Sequence, residues 1–175
     1  MTTPNRFALH ALFAFLLWGL LAFQGDLAQA ELTPVTPDCL AKAARIFEVP
    51  YEMALAVLAT EGGQVGRVNH NKSGTYDVGP MQINSTWLPI LKEVGVRAED
   101  VRDHGCANVA VGVWILRLNL LETGDQTKAL AYYHSRNPRR GQAYVKAARE
   151  AAKNLSLEKT LSRANATTLK APPRD

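Results

Sequence analysis

The sequence predicts one mainly α domain with a minor extended element near Tyr76–Ile83. Three observations carry this expectation. Apolar residues recur at helical spacing along most of the chain, helix-capping residues stand just ahead of several of these runs, and no stretch offers several alternating strands in succession. The 175 residues suit one domain and leave too little chain for a second. A charged fraction of 21% with a net charge of +4 is too balanced for intrinsic disorder, and no collagen, heptad or solenoid repeat runs through the chain. Two cysteines are too few for a thiolate zinc site or a disulfide-dense scaffold.

The elements follow in order. Arg6 leads into an apolar run from Phe7 to Phe23, which Gln24, Gly25 and Asp26 break before Ala28-Gln29-Ala30. Charge, apolar stretch and A-x-A site make residues 1–30 a secretory signal peptide, cleaved before Glu31; an uncleaved membrane anchor is the alternative. Asp38 is positioned to cap a first helix through Phe47, with Leu40, Ala43, Ala44 and Phe47 at helical spacing. Pro50 fits the first turn of a second helix, which carries Met53, Ala54, Val57 and Leu58 and stops at Gly62-Gly63. Polar, Gly-rich chain from Gln64 to Val78 predicts a loop or short hairpin. Ser85 suits the cap of a helix containing Trp87, Leu88, Ile90 and Leu91, and Ala107–Leu121, apolar nearly all round, predicts a central buried helix. Asp125 suits the cap of another helix through Tyr133, and a last helix follows Gly141. The domain is expected over 31–161, with 162–175 a flexible basic tail.

Export implies an oxidising compartment, where Cys39 and Cys106 allow a single pairing. The bond closes a loop of about 68 residues, worth ~4 kcal/mol by chain entropy; two buried thiols are the alternative. Residues 31–133 carry 9 basic and 12 acidic side chains, whereas 134–175 carry 10 basic and 3 acidic. Such a basic end is either a solvated face or a contact for an anionic polymer or membrane. An exported chain without an aromatic-and-basic groove motif is not expected to bind nucleic acid.

Glu61 stands out on physical grounds. It shares the helix face of Ala54, Val57 and Leu58 and closes the last turn, where the helix dipole opposes a negative charge. Desolvation and dipole both raise its pKa, as a general acid requires; the bland reading is a surface carboxylate at a helix end. Gly62-Gly63 leaves bare backbone beside it for a ligand. In Gly79-Pro80-Met81-Gln82-Ile83-Asn84, two amides alternate with two apolar residues, so Gln82 and Asn84 point one way while Met81 and Ile83 pack inward. Amides aimed into a cleft suit the hydroxyl and acetamido groups of a sugar; equally, they can bond loop backbone. Asp77 could approach Glu61 across a cleft, and paired carboxylates mark glycoside cleavage.

Glu61-Gly62-Gly63, then Tyr76 through Asn84, the Trp114 helix and Ala131-Tyr132-Tyr133-His134 resemble the lysozyme-like lytic transglycosylases. The similarity is to the small specialised forms that accompany type IV secretion, conjugation and type III secretion machines, and it covers about residues 38–145. The resemblance implies a lysozyme-like α+β fold and a periplasmic enzyme cleaving the β-1,4 bond between N-acetylmuramic acid and N-acetylglucosamine. It places the catalytic acid on Glu61, which would protonate the leaving oxygen and then act as base while the muramoyl C6 hydroxyl attacks C1. The product is a 1,6-anhydro end formed without water, with assistance from the substrate's acetamido group. Glycan binding falls on Gln82 and Asn84, with Asp77 nearby, and Tyr133 matches the tyrosine that orients the glutamate. No cofactor or metal is implied. The expected partners are peptidoglycan strands and an envelope-spanning secretion or conjugation machine, with the enzyme itself a monomer.

Three positions depart from the family pattern: Gly62 where Ser is common, Pro80 where Leu is common, and His134 in place of Asn. Two rival functions stay open. One is a true lysozyme with Asp77 as second carboxylate and water as acceptor, since Asp77-Val78-Gly79 through Asn84-Ser85 also resembles the animal lysozyme pattern. The other is a glycan-binding assembly factor of weak or lost catalysis, its basic C-terminal part docking a partner.

Overall fold

The computed structural model describes residues 31–153 and 156–166. The expected signal peptide, 1–30, lies outside the described residues, as does the tail from 167 onward.

Helix α1, Pro37–Ile46, starts one step earlier than the expected Asp38 cap. Thr36 takes that role because its hydroxyl accepts the Cys39 N–H at 3.2 Å, and Pro37 loses nothing at the first helical position. Helix α2, Tyr51–Glu61, follows Pro50 and buries Met53 through Leu58 on all sides. It ends where Gly62 turns left-handed at φ +60°. The expected loop or hairpin is a three-stranded antiparallel sheet of β1 (Val68–His70), β2 (Tyr76–Val78) and β3 (Ile83–Asn84), in that order. Its register sets Asp77 between Asn69 on one side and Asn84 on the other.

Asn84, rather than Ser85, caps the next turn: its Oδ1 accepts the Thr86 N–H at 3.1 Å, while Ser85 Oγ accepts from Tyr76 N at 3.1 Å. A 3-10 turn, Ser85–Trp87, leads into α3, Leu88–Glu93, and α4, Ala98–Asp103. The central helix α5, Gly105–Thr123, is long and apolar enough to cross a membrane but serves here as the core, with Val109, Val113 and Leu116 fully buried. Asp125 caps α6, Gln126–His134, as expected, accepting from Lys128 N at 2.7 Å. Helix α7, Pro138–Lys153, begins before Gly141 and packs on α6 and α2. Gly141 lies inside it because an added Cβ would stand 2.9 Å from Ala131 Cβ, so the two helices approach backbone to backbone.

The boundary expected after residue 161 is corrected. Helix α8, Leu157–Ala164, runs past it, capped by Ser156 and with Ala164 only 2% exposed. The Ala164 carbonyl accepts Val65 N at 2.8 Å, and the Asn165 amide reads both backbone groups of Val35, accepting at 2.7 Å and donating at 2.9 Å. These bonds to buried chain fix residues that composition alone marks as loose.

Two ties hold the architecture. Cys39 and Cys106 form the expected disulfide, with Cα atoms 5.4 Å apart, joining the start of α1 to the start of α5. Asn108, fully buried on α5, accepts Met81 N at 2.8 Å and donates to the carbonyls of Val78 and Val101 at 2.9 Å each. Replacing Asn108 with Ala strands three buried backbone groups at once, and the expected loss is about 3 kcal/mol or more, measured by urea unfolding. Thiol labelling of the folded protein without reductant should modify neither cysteine; labelling of both would refute the bond's persistence in solution.

Candidate active site

Glu61, Asp77, Gln82, Asn84 and Tyr133 line one cleft of about 570 Å³ between the end of α2, the small sheet and the α6–α7 turn. Local sequence explains how they converge. Gly63 sits so close to the β2–β3 turn that an added Cβ would fall 2.1 Å from the Gly79 carbonyl, and its N–H is bonded to the Pro80 carbonyl at 3.2 Å. The C-terminus of α2 is thereby pinned against the sheet, and Glu61 faces across it.

Burial drives the Glu61 carboxyl upward, to a pKa of about 7; a Tyr144 hydrogen bond pulls it down, and the nearby Asp77 charge adds to the rise. Asp77 is held by two amides, Asn71 Nδ2 donating to one oxygen at 2.9 Å and Asn84 Nδ2 to the other at 2.8 Å. The alternation read in the sequence appears as expected on the apolar side, with Met81 and Ile83 buried. The two amides on the cleft side are already engaged. Gln82, at φ +50°, donates to the Gly79 carbonyl at 2.8 Å and accepts from Asn69 at 2.6 Å; Asn84 also donates to Thr75 at 3.2 Å.

Tyr133 shares the cleft with Glu61, yet its hydroxyl donates to the Met81 carbonyl at 2.9 Å. Burial, then the Glu61 and Asp77 charges, push its pKa well above the usual tyrosine value, so it remains a donor. The hydroxyl directed at Glu61 belongs to Tyr144 on α7. It is buried and makes no hydrogen bond of normal geometry, yet it acts on the Glu61 carboxyl closely enough to draw its pKa down. His134, exposed at the end of α6, stacks flat on Tyr144 with ring centroids 4.9 Å apart. Sequence reasoning passed over Tyr144, because a tyrosine inside an amphipathic helix reads as core. It also took Trp87 only as an apolar helix position, whereas Trp87 lines the cleft, backed edge-on by Trp114 at 5.6 Å. Among the described residues no group of three His, Cys, Asp or Glu is placed to hold a metal ion.

A protonatable carboxyl at a helix end, a second carboxylate clamped by amides and an indole wall describe a polysaccharide cleft. The Transglycosylase SLT domain family matches residues 38–157 of the chain. The chain belongs to this family. Its fold is accordingly the lysozyme-like α+β arrangement, and its domain is lytic transglycosylase-like and directed at peptidoglycan. Among the chain's relatives, the invasion protein IagB of Salmonella typhi is 26% identical over 156 residues, covering 88% of this chain and 91% of its own. Protein IpgF of Shigella flexneri is 29% identical over 99 residues, 56% of this chain and 65% of its own. A peptidoglycan-binding-like protein of Escherichia coli O157:H7 is 26% identical over 124 residues, 66% and 74% respectively.

The raised Glu61 pKa makes the transglycosylase domain less stable as pH rises. The folded state binds a proton more tightly than the unfolded chain between about pH 4.5 and about pH 7, so stability is lost across that window. Relative to Glu61→Gln, wild type should lose on the order of 3 kcal/mol from pH 4.5 to pH 8. Paired melting curves across that range check the sign; parallel curves would mean an unshifted carboxyl.

Proposed function

We propose that the protein is a periplasmic lytic transglycosylase, exported by residues 1–30, with Glu61 as its acid and base. The observation that carries this reading is the Glu61 carboxyl itself, half-buried at the end of α2 with a pKa near 7 and open to a cleft of glycan size. A group with that pKa is protonated in a large share of molecules near neutrality and still a usable base once ionised. In the first step Glu61 gives its proton to the glycosidic oxygen as the C1–O bond breaks, and the substrate's acetamido oxygen bonds to C1. In the second, the muramoyl C6 hydroxyl attacks C1, the acetamido bond opens, and the hydroxyl proton returns to Glu61. The ledger closes without water, leaving a 1,6-anhydromuramoyl end.

Asp77 is the residue on which the hydrolytic rival turns. Both of its oxygens accept an amide hydrogen bond from a neighbour in the loop or on β3. Such a clamp suits a fixed negative charge in the cleft wall better than a nucleophile that must approach C1. The relatives named invasion proteins support the further reading that the enzyme opens the wall for an envelope-spanning machine. Gln82, Asn84 and Tyr133 act mainly as the rigid wall that presents the sugar to Glu61, since most of their polar atoms are already bonded within the protein.

Mass analysis of muropeptides released from purified sacculi tests the reaction. Anhydro ends are expected; reducing ends would establish the hydrolase, and no release at all the binding module. Glu61→Gln should abolish release while leaving the fold intact, because general acid–base catalysis alone is worth roughly 10²–10⁴-fold and one group serves both steps. Asp77→Asn should keep most of the turnover. A folded Asp77→Asn variant slowed by several orders of magnitude would transfer the second catalytic role to Asp77 and overturn the substrate-assisted route.

A further inference from the structure

A second, larger groove of about 730 Å³ runs along the α6–α7 hairpin. It shares Ser135 with the catalytic cleft, so the two depressions meet at the α6–α7 turn. Its lining is mostly apolar and includes Ala131, Tyr132, Gly141 and Val145. The close approach at Gly141 leaves no side chain there to fill it. Its rims carry five cationic side chains against the single acid Glu150. Arg136 is committed to Glu122 and lies over the Tyr132 ring, Arg149 donates to Thr127, and Lys153 pairs with Glu150. Lys128 on α6 and Lys146 on α7, one on each rim, make no ion pair with any described residue and are exposed.

We infer that this groove binds the peptide stem carried by the muramic acid sugar, with Lys128 and Lys146 reading its carboxylates. The inference rests on the peptidoglycan reading of the cleft and extends it from the glycan to the peptide. Three observations carry it. The groove and the cleft share Ser135 in their linings, so Ser135 is where a chain leaving a sugar in the cleft would pass into the groove. A stem of about five residues spans roughly 17 Å when extended, and α7, Pro138–Lys153, provides a wall of about 24 Å. Stems combine alanine methyls, which suit the small and apolar surface of Ala131, Gly141 and Val145, with free carboxylates, which suit unpaired lysines on both rims.

The test compares two substrates. Sacculi retain their stems; glycan strands stripped by an amidase do not. For Lys128→Glu/Lys146→Glu, KM on stem-bearing strands should rise roughly tenfold with kcat unchanged, and cleavage of stripped strands should match wild type. Titration with the free stem tetrapeptide, followed by NMR, should move α6 and α7 amides in wild type and not in the double variant. Unchanged KM on both substrates, or equal losses on both, overturns the groove assignment; the second outcome would fit a docking site for an acidic partner protein instead. If wild type cleaves neither substrate, the enzymatic reading fails, and the tetrapeptide titration still decides the groove by itself.

Discussion

The buried amide of Asn108 is the interaction on which the site depends. The β2–β3 turn must come close to α5 to set the cleft floor, and doing so buries the Met81 N–H and the Val78 carbonyl away from water. An asparagine offers an acceptor and two donor hydrogens on one rigid plane, and here all are used, the third partner being the Val101 carbonyl. Aspartate could not donate, and leucine would leave all three backbone groups unpaired. Further contacts are built on this clamp. The bare Gly79 leaves room for the Asn108 amide, from which an added Cβ would stand 2.3 Å, and the Met81 side chain fills the notch opposite Gly112. The Met81 carbonyl is then in place to receive the Tyr133 hydroxyl, and the Gly79 carbonyl to receive Gln82.

With the floor fixed, the electrostatics of the cleft follow. Glu61 sits where burial, a helix C-terminus and a neighbouring carboxylate all oppose its charge, and Tyr144 gives back part of that loss. The balance leaves a carboxyl near neutrality rather than one permanently protonated. Tyr144 is itself buried without a full partner, so its hydroxyl has no competing bond to lure it from Glu61, and the His134 ring stacked on it narrows its freedom. The cost of an under-bonded hydroxyl and an unhappy carboxyl is the kind of strain that functional sites carry and that core packing elsewhere must cover.

Much of this was legible in the residues. The spacing of Ala54, Val57, Leu58 and Glu61 placed a carboxyl on a buried helix face, and alternation from Met81 to Asn84 separated packing from cleft positions; both hold in the structure. Other features depend on contacts between distant segments, which periodicity does not encode. Asn165 reaches Val35 across 130 positions, so the C-terminal turn reads as tail in the sequence and docks in the fold. Tyr144 and Tyr133 are equivalent by composition; only the packing of α7 on α2 decides which hydroxyl meets Glu61. The short helix α4 was missed because six residues give too little periodicity to register.

The three departures from the family pattern prove to surround one group. An added Cβ at Gly62 would stand 2.7 Å from Arg163 Nη1, and that guanidinium donates to the Ala59 carbonyl at 3.3 Å in the last turn of α2. A side chain at this position would displace the flexible end of the α8 arginine and would carry the strain of a backbone at φ +60°. Arg163, in the stretch expected as a tail, thus supplies a cation at the end of α2, where a positive charge is favourable. Pro80 contributes no N–H, but its carbonyl receives the Gly63 N–H, locking Gly63, the residue after Gly62, onto the sheet. His134 braces Tyr144 from the third side. The backbone at Gly62 and Pro80 and the ring at His134 thus each lie beside residues that support Glu61.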